Sequence, residues 1–191
     1  MAIAAQRLPL KAAYWIKKLA LQPHPEGGYF REIYRSRDQI PATALPARYG
    51  GPRFFSTSIY YLLVGKQISA LHRLASDEQW HFYDGDTLLL AMIAPDGTFR
   101  KVHLGRDPTR GEQFQAVIPA GMWMGARLTA PAVAIRRLKD CGRTNRRGYA
   151  LIGCTVAPGF EFQDFEVGQR SDLLERFPRH RKLITALTKA G

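Results

Sequence analysis

Cysteine is nearly absent from this 191-residue chain: Cys141 and Cys154 are the only two, and they form no metal-ligand spacing. That excludes a thiolate metal site of the finger or ribbon kind. Cys154 sits in the apolar run Tyr149–Val156 and reads as a core residue. No apolar stretch approaches the roughly 20 residues that a membrane-spanning helix needs. The first residues do not make a signal peptide either, because Gln6, Arg7 and Lys11 interrupt the apolar positions. A soluble cytoplasmic protein is the expectation, with no membrane partner. There is no internal repeat and no low-complexity tract. What the chain does have is 46% hydrophobic residues, enough for one well-buried core with short extensions.

Acidic residues are also scarce, 16 against 28 basic ones, for a net charge of +12. A balance of that kind makes nucleic acid a partner to weigh. The excess concentrates in Arg136–Arg147, where six basic side chains face Asp140 alone. Apolar runs flank this segment, so it reads as an exposed hairpin loop that aids solubility. No aromatic residue interleaves its arginines, as a single-strand stacking platform requires. No specific nucleic-acid recognition is expected.

Read in order, residues 9–20 carry Trp15, Ile16 and Leu19 on one helical face. The segment His24-Pro25-Glu26-Gly27-Gly28 is a rigid turn leading into a strand. His24 and Glu26 read there as structural loop residues. In the strand that follows, Tyr29, Arg31, Ile33 and Arg35 alternate with Phe30, Glu32, Tyr34 and Ser36. Neither face is wholly apolar, which suits a strand lining a cavity, and Arg31 is a candidate substrate-binding residue. Residues 37–53, rich in proline and glycine, read as a surface loop or lid. Phe54–Leu63 is the strongest strand signal. Short strands follow at 68–74, 79–83, 87–94, 98–104, 114–118, 123–128, 133–138 and 149–157. About ten short strands without long intervening helices predict an all-β sandwich or barrel. Helix returns after residue 168, with Leu183, Ile184 and Leu187 as an apolar stripe. The expected divisions are an N-terminal helical extension over 1–20, a barrel over 21–168 and C-terminal helices over 169–191.

The chemistry concentrates in Ser69–Gly85, which places His72, Glu78 and His81 within ten residues. Imidazole and carboxylate bind divalent metals or move protons near neutral pH. Trp80, Phe82 and Tyr83 mark the same stretch as strand, and Asp84-Gly85-Asp86 ends it as a turn.

This stretch resembles the first motif of the cupin superfamily: His72 matches its first histidine, Glu78 its glutamate and Gly85 its glycine, while Leu74 stands at the second histidine. The second cupin motif is similar to Pro119-Ala120-Gly121, with Met124 in the histidine position. Together with HPEGGYF, TSIYYLL and GCTVAPGFEFQDFE, these landmarks resemble the small cupin-5-like subgroup. The resemblance implies a double-stranded β-helix (a jelly roll) that pairs as a homodimer. Its wider relatives include sugar-nucleotide epimerases with a metal-free histidine base. An apolar sheet edge at Phe54–Leu63 would likewise call for a homodimer.

Three readings of the site stand side by side. In one, His72, Glu78 and His81 hold a divalent metal such as Zn, Fe, Mn or Ni. Strand parity opposes it, since Glu78, Trp80 and Phe82 share a face that His81 does not. In the second, which we adopt as the expectation, the site is a metal-free isomerase or epimerase. His72 is the base, Glu78 its orienter or conjugate acid, and Tyr60 or Tyr61 an oxyanion donor. Trp80, His81, Phe82 and Trp123 are the candidate substrate-binding wall. In the third, the barrel binds a small molecule without chemistry.

Overall fold

The computed structural model describes residues 8–129 and 148–189. The basic segment Arg136–Arg147, the strand expected at 133–138 and Cys141 lie outside the described residues. The strands are β1 (Gln22–Pro23), β2 (Tyr29–Arg35), β3 (Gln39–Ile40), β4 (Arg53–Phe54), β5 (Thr57–Val64), β6 (Ile68–Leu74) and β7 (Asp77–Gly85). They continue as β8 (Leu88–Ile93), β9 (Phe99–Leu104), β10 (Glu112–Gln113), β11 (Gln115–Ile118), β12 (Trp123–Leu128), β13 (Tyr149–Ala157) and β14 (Phe165–Val167). Two six-stranded sheets face each other, one in the order β1-β2-β5-β13-β7-β11, the other β10-β9-β8-β12-β6-β14. Neighbours in the first sheet come from distant parts of the chain, as in a jelly roll. The all-β expectation holds.

Strands β8 and β13 and the second half of β5 are buried almost throughout and read as apolar runs, whereas β7 and β11 alternate buried and exposed positions. Tyr61, Leu63, Trp80, Phe82, Leu90, Met92, Met124 and Ile152 meet between the sheets as the barrel interior. Outside the first sheet, helix α1 (Leu10–Lys18) lays Ala12, Trp15 and Ile16 on Leu62, Val64 and Leu151. Outside the second, helices α2 (Arg170–Arg176) and α3 (Arg181–Ala186) set Leu173 and Ile184 against Leu71, Ile93 and Trp123. Among the described residues no helix is long and apolar enough to cross a membrane.

Two placements differ from expectation. Phe54–Leu63 is no sheet edge, because β5 pairs with β2 on one side and β13 on the other. The unpaired-edge reason for dimerisation therefore falls. In β2 the register shifts between Glu32 and Tyr34. This bulge re-aims the strand's end, so that Glu32 and Arg35 both reach the interior cavity, although simple alternation puts them on opposite faces.

Candidate functional site

The cavity opens between the sheets at the β2 end of the barrel and holds about 80 Å³. One water needs about 10–15 Å³, so the space suits a compact molecule of several heavy atoms. Its wall is largely apolar: Phe30, Ile59, Leu74, Trp80, Val156, Phe160 and Phe165. The polar groups that reach it are His24, Glu26, Glu32, Arg35, Thr57, Tyr61, His72, Glu78 and Cys154.

Glu26 arrives through the Gly-Gly turn. Gly27 has φ +119°, and a Cβ there would lie 2.2 Å from the Ile68 carbonyl oxygen, so only glycine lets the loop press against β6. The turn is pinned by Ala70 N–H donating to the Glu26 carbonyl at 3.0 Å and Tyr61 Oη donating to the Gly27 carbonyl at 2.7 Å. The Glu26 side chain is thereby buried, taking a hydrogen bond from Ser69 Oγ at 2.8 Å. Its other oxygen lies 3.1 Å from His72 Nδ1.

His72 is 3% exposed. Its Nδ1 faces two acceptors, Glu26 Oε2 and the Ala70 carbonyl oxygen at 2.8 Å. A nitrogen facing two acceptors carries the proton, so the network assigns the Nδ1–H tautomer and leaves the lone pair on Nε2. Among the described residues Nε2 has no hydrogen-bond partner. The Phe165 ring lies 5.3 Å from the imidazole, centroid to centroid.

Glu78 is buried beside it, and its Oε2 has no hydrogen-bond partner; nor has the buried Trp80 Nε1. Burial pushes the Glu78 carboxyl up to about 7. The nearby His72 charge opposes the shift and Glu26 adds to it, while the indole and the Cys154 thiol lie close enough to draw the carboxyl back down. Burial also lowers the His24 imidazole and raises the Tyr61 phenol and the Cys154 thiol, keeping all three neutral. Glu78 makes a testable contribution to stability. With its folded pKa above the unfolded one, the native state binds the extra proton between about pH 4.5 and 7. Stability therefore falls as pH rises through that window and stays reduced above it. Glu78→Gln should raise stability by about 2 kcal/mol at pH 8 and leave it nearly unchanged at pH 4.5, each pKa unit being worth about 1.4 kcal/mol and the amide recovering only part. Equal effects at both pH values in thermal melts would refute the assignment.

The cavity brings together four of the residues proposed from sequence, Tyr61, His72, Glu78 and Trp80, and leaves out five. Tyr60 faces outward against α1 and lies 6.1 Å from the Tyr83 ring, while its neighbour Tyr61 points in. Arg31 is on the outer face as well, donating to the Leu19 carbonyl. His81 points away from the interior and meets Thr155 Oγ1 at 3.3 Å. Trp123 packs under the C-terminal helices with Arg73 over its ring. Phe82 is interior but belongs to the packed core beyond the cavity. Conversely, His24 and Glu26, read from sequence as structural loop residues, also line the cavity. The HPEGG turn was visible in the sequence, but its pairing with Ser69 and His72, more than forty residues away, was not.

The residues do not fit the metal centre that the cupin motif implies. Met124 lies directly across from His72 in the β6–β12 pairing, and Leu74 also faces the cavity, so apolar side chains fill both remaining ligand positions. Among the described residues no group of three or more His, Cys, Asp or Glu side chains is arranged to hold a metal ion.

Fold and site together define a cupin whose barrel retains the motif histidine and glutamate in an apolar cavity. The chain belongs to the cupin superfamily (DUF985), whose family model matches residues 13–168. It is similar to the crystal structure of protein SO0799 from Shewanella oneidensis: 32% identity, TM-score 0.77, covering 97% of this chain and 100% of that one. A hypothetical protein from Leishmania major is similar at 33% identity and TM-score 0.80, covering 94% of this chain and 99% of that one. The uncharacterized protein YML079W from Saccharomyces cerevisiae is 29% identical over 152 residues, 74% of this chain and 67% of that protein.

Proposed function

We propose that this cupin catalyses proton transfer on a small molecule, as an isomerase or epimerase does, with His72 Nε2 as the base. The observation that carries the reading is the pair of acceptors on His72 Nδ1, Glu26 Oε2 at 3.1 Å and the Ala70 carbonyl oxygen at 2.8 Å. A base held by a carboxylate in the correct tautomer is a recurring device of acid–base catalysis. When His72 takes a proton, Glu26 stabilises the imidazolium without having to move. Glu78, buried alongside with a carboxyl pushed up to about 7, is the complementary acid. The apolar wall excludes water and strengthens these interactions. Glu26 thus takes the orienting role, and Glu78, for which the sequence leaves orienter or conjugate acid open, takes the acid role.

Hydrogen exchange tests the reading without knowledge of the physiological substrate. Small carbon acids incubated with the folded protein in D₂O should take up deuterium at carbon faster than in buffer, as followed by proton NMR. If heat-denatured and folded protein exchange equally across a panel of such compounds, the cavity binds without chemistry and the reading falls.

A further inference from the structure

Deepening the acid–base reading on which it rests, we infer that the cavity takes a compact, uncharged carbonyl compound, its carbonyl oxygen docked on Trp80 Nε1 and the Glu78 carboxyl and its α-carbon facing His72. The two buried polar atoms without partners carry the inference. Trp80 is 1% exposed and Glu78 6% exposed, both line the cavity, and although the indole lies near the carboxyl, neither Nε1 nor Oε2 completes a hydrogen bond within the protein. An unmade buried hydrogen bond is costly and points to a missing partner. Indole N–H is a donor only, so its partner must be an acceptor. A carboxyl can donate to that same acceptor when protonated, or accept from it when the acceptor is a hydroxyl. One ligand oxygen meets both demands in either state: carbonyl against Glu78 acid, hydroxyl against Glu78 carboxylate. The tendency of the buried carboxyl to stay neutral favours the first state in the resting site.

The charge pattern argues that the ligand is uncharged. Arg35 is the only Lys or Arg among the described cavity residues, and it is already engaged by Glu32 and Glu161, each at 2.7 Å. Burial keeps His24 neutral, and Glu26 occupies Nδ1 of His72. No unsatisfied cation remains there to receive a carboxylate or phosphate, and the Glu26 and Glu32 carboxylates would repel one. The apolar wall of Phe30, Ile59, Leu74 and Phe165 accommodates the rest of the molecule.

The step is balanced without any co-reactant. The α-C–H bond breaks and its proton goes to His72 Nε2. Its electron pair forms the new carbon–carbon π bond, the carbonyl π pair moves onto oxygen, and Glu78 gives its proton to that oxygen. The enol then returns to a carbonyl as the hydroxyl proton goes back to Glu78 and His72 returns a proton to carbon. Trp80 Nε1–H holds the oxygen throughout, where negative charge develops.

The test uses the full-length protein with three six-membered-ring probes: cyclohexanone, cyclohexene and cyclohexanecarboxylate, titrated by ligand-observed NMR at pH 7. Cyclohexanone should bind best and cyclohexanecarboxylate not at all. Trp80→Phe, which keeps a ring but loses the donor, should weaken cyclohexanone by about fivefold or more and leave cyclohexene unchanged. Should that variant not fold, Glu78→Leu serves, since it replaces a buried carboxyl by an apolar side chain and should lose the same preference. Tighter binding of the carboxylate than of the ketone by the unmodified protein would overturn the inference. So would cyclohexanone affinity unaffected by either substitution, while His72-dependent exchange, and hence the base reading, could still stand. Ketone binding that depends on Trp80 and Glu78 without deuterium exchange would uphold the ligand class and sink the base.

Discussion

Asp164→Ala should destabilise the protein by about 3 kcal/mol or more, the largest loss we expect from any single charged side chain. Arg53 is 1% exposed, and its guanidinium donates to both Asp164 oxygens at 2.6 Å from Nε and Nη2. Its Nη1 donates to the Gly51 and Pro52 carbonyls at 2.9 and 2.8 Å, and the Tyr49 ring lies beneath the cation. Taking away the carboxylate leaves a buried charge with only neutral acceptors, which is far worse than never having buried it. Because a protein of this size loses about 2–4 °C of Tm per kcal/mol, the melt should drop by roughly 6–12 °C. The paired replacement Arg53→Met with Asp164→Leu should restore much of that loss, since an apolar pair needs no compensation. A drop of less than about 1 kcal/mol for Asp164→Ala would mean that water reaches the guanidinium and that the pair is not buried in solution. The consequence extends to the cavity, since Asp164 sits in the segment that carries Phe160 and Phe165 to its wall.

The second large effect concerns turnover. His72→Gln should lower catalysed hydrogen exchange by about a hundredfold or more, the ordinary worth of a positioned base. Glutamine is the informative replacement because its amide N–H can still donate toward Glu26, whereas alanine would leave that buried carboxylate short of a partner. The fold should then change in stability by no more than about 1 kcal/mol. Glu26→Gln should act through the same nitrogen: the Ala70 carbonyl still holds the Nδ1 proton, but the carboxylate charge that stabilises the imidazolium is gone. Since both substitutions disable one unit, the double variant should be little slower than His72→Gln alone. Additive losses would show that the two residues work separately. Full exchange activity in His72→Gln with an intact melt would remove His72 from the chemistry.

The amino-acid sequence by itself determined the secondary structure and the architecture. Period-two alternation, Pro-Asp-Gly and Asp-Gly-Asp turns and the absence of long helices are local signals, and β6 over Ile68–Leu74 or β13 over Tyr149–Ala157 falls where they predict. The same alternation marked Glu78 and Trp80 as facing one way and His81 the other, and the motif spacing singled out His72. The tertiary structure alone decided which polar groups meet. Parity says that two residues share a face but not which face is the interior, so Tyr60 and Tyr61 were interchangeable until β5 was placed between β2 and β13. A bulge changes parity along a strand, which is how Arg35 came inside while Arg31 stayed out. Glu26 lies in a loop, where no periodicity applies at all. Its contact with His72 exists because two glycines allow the chain to fold back onto a strand more than forty residues away, and a local pattern contains no information about which distant strand a turn will touch.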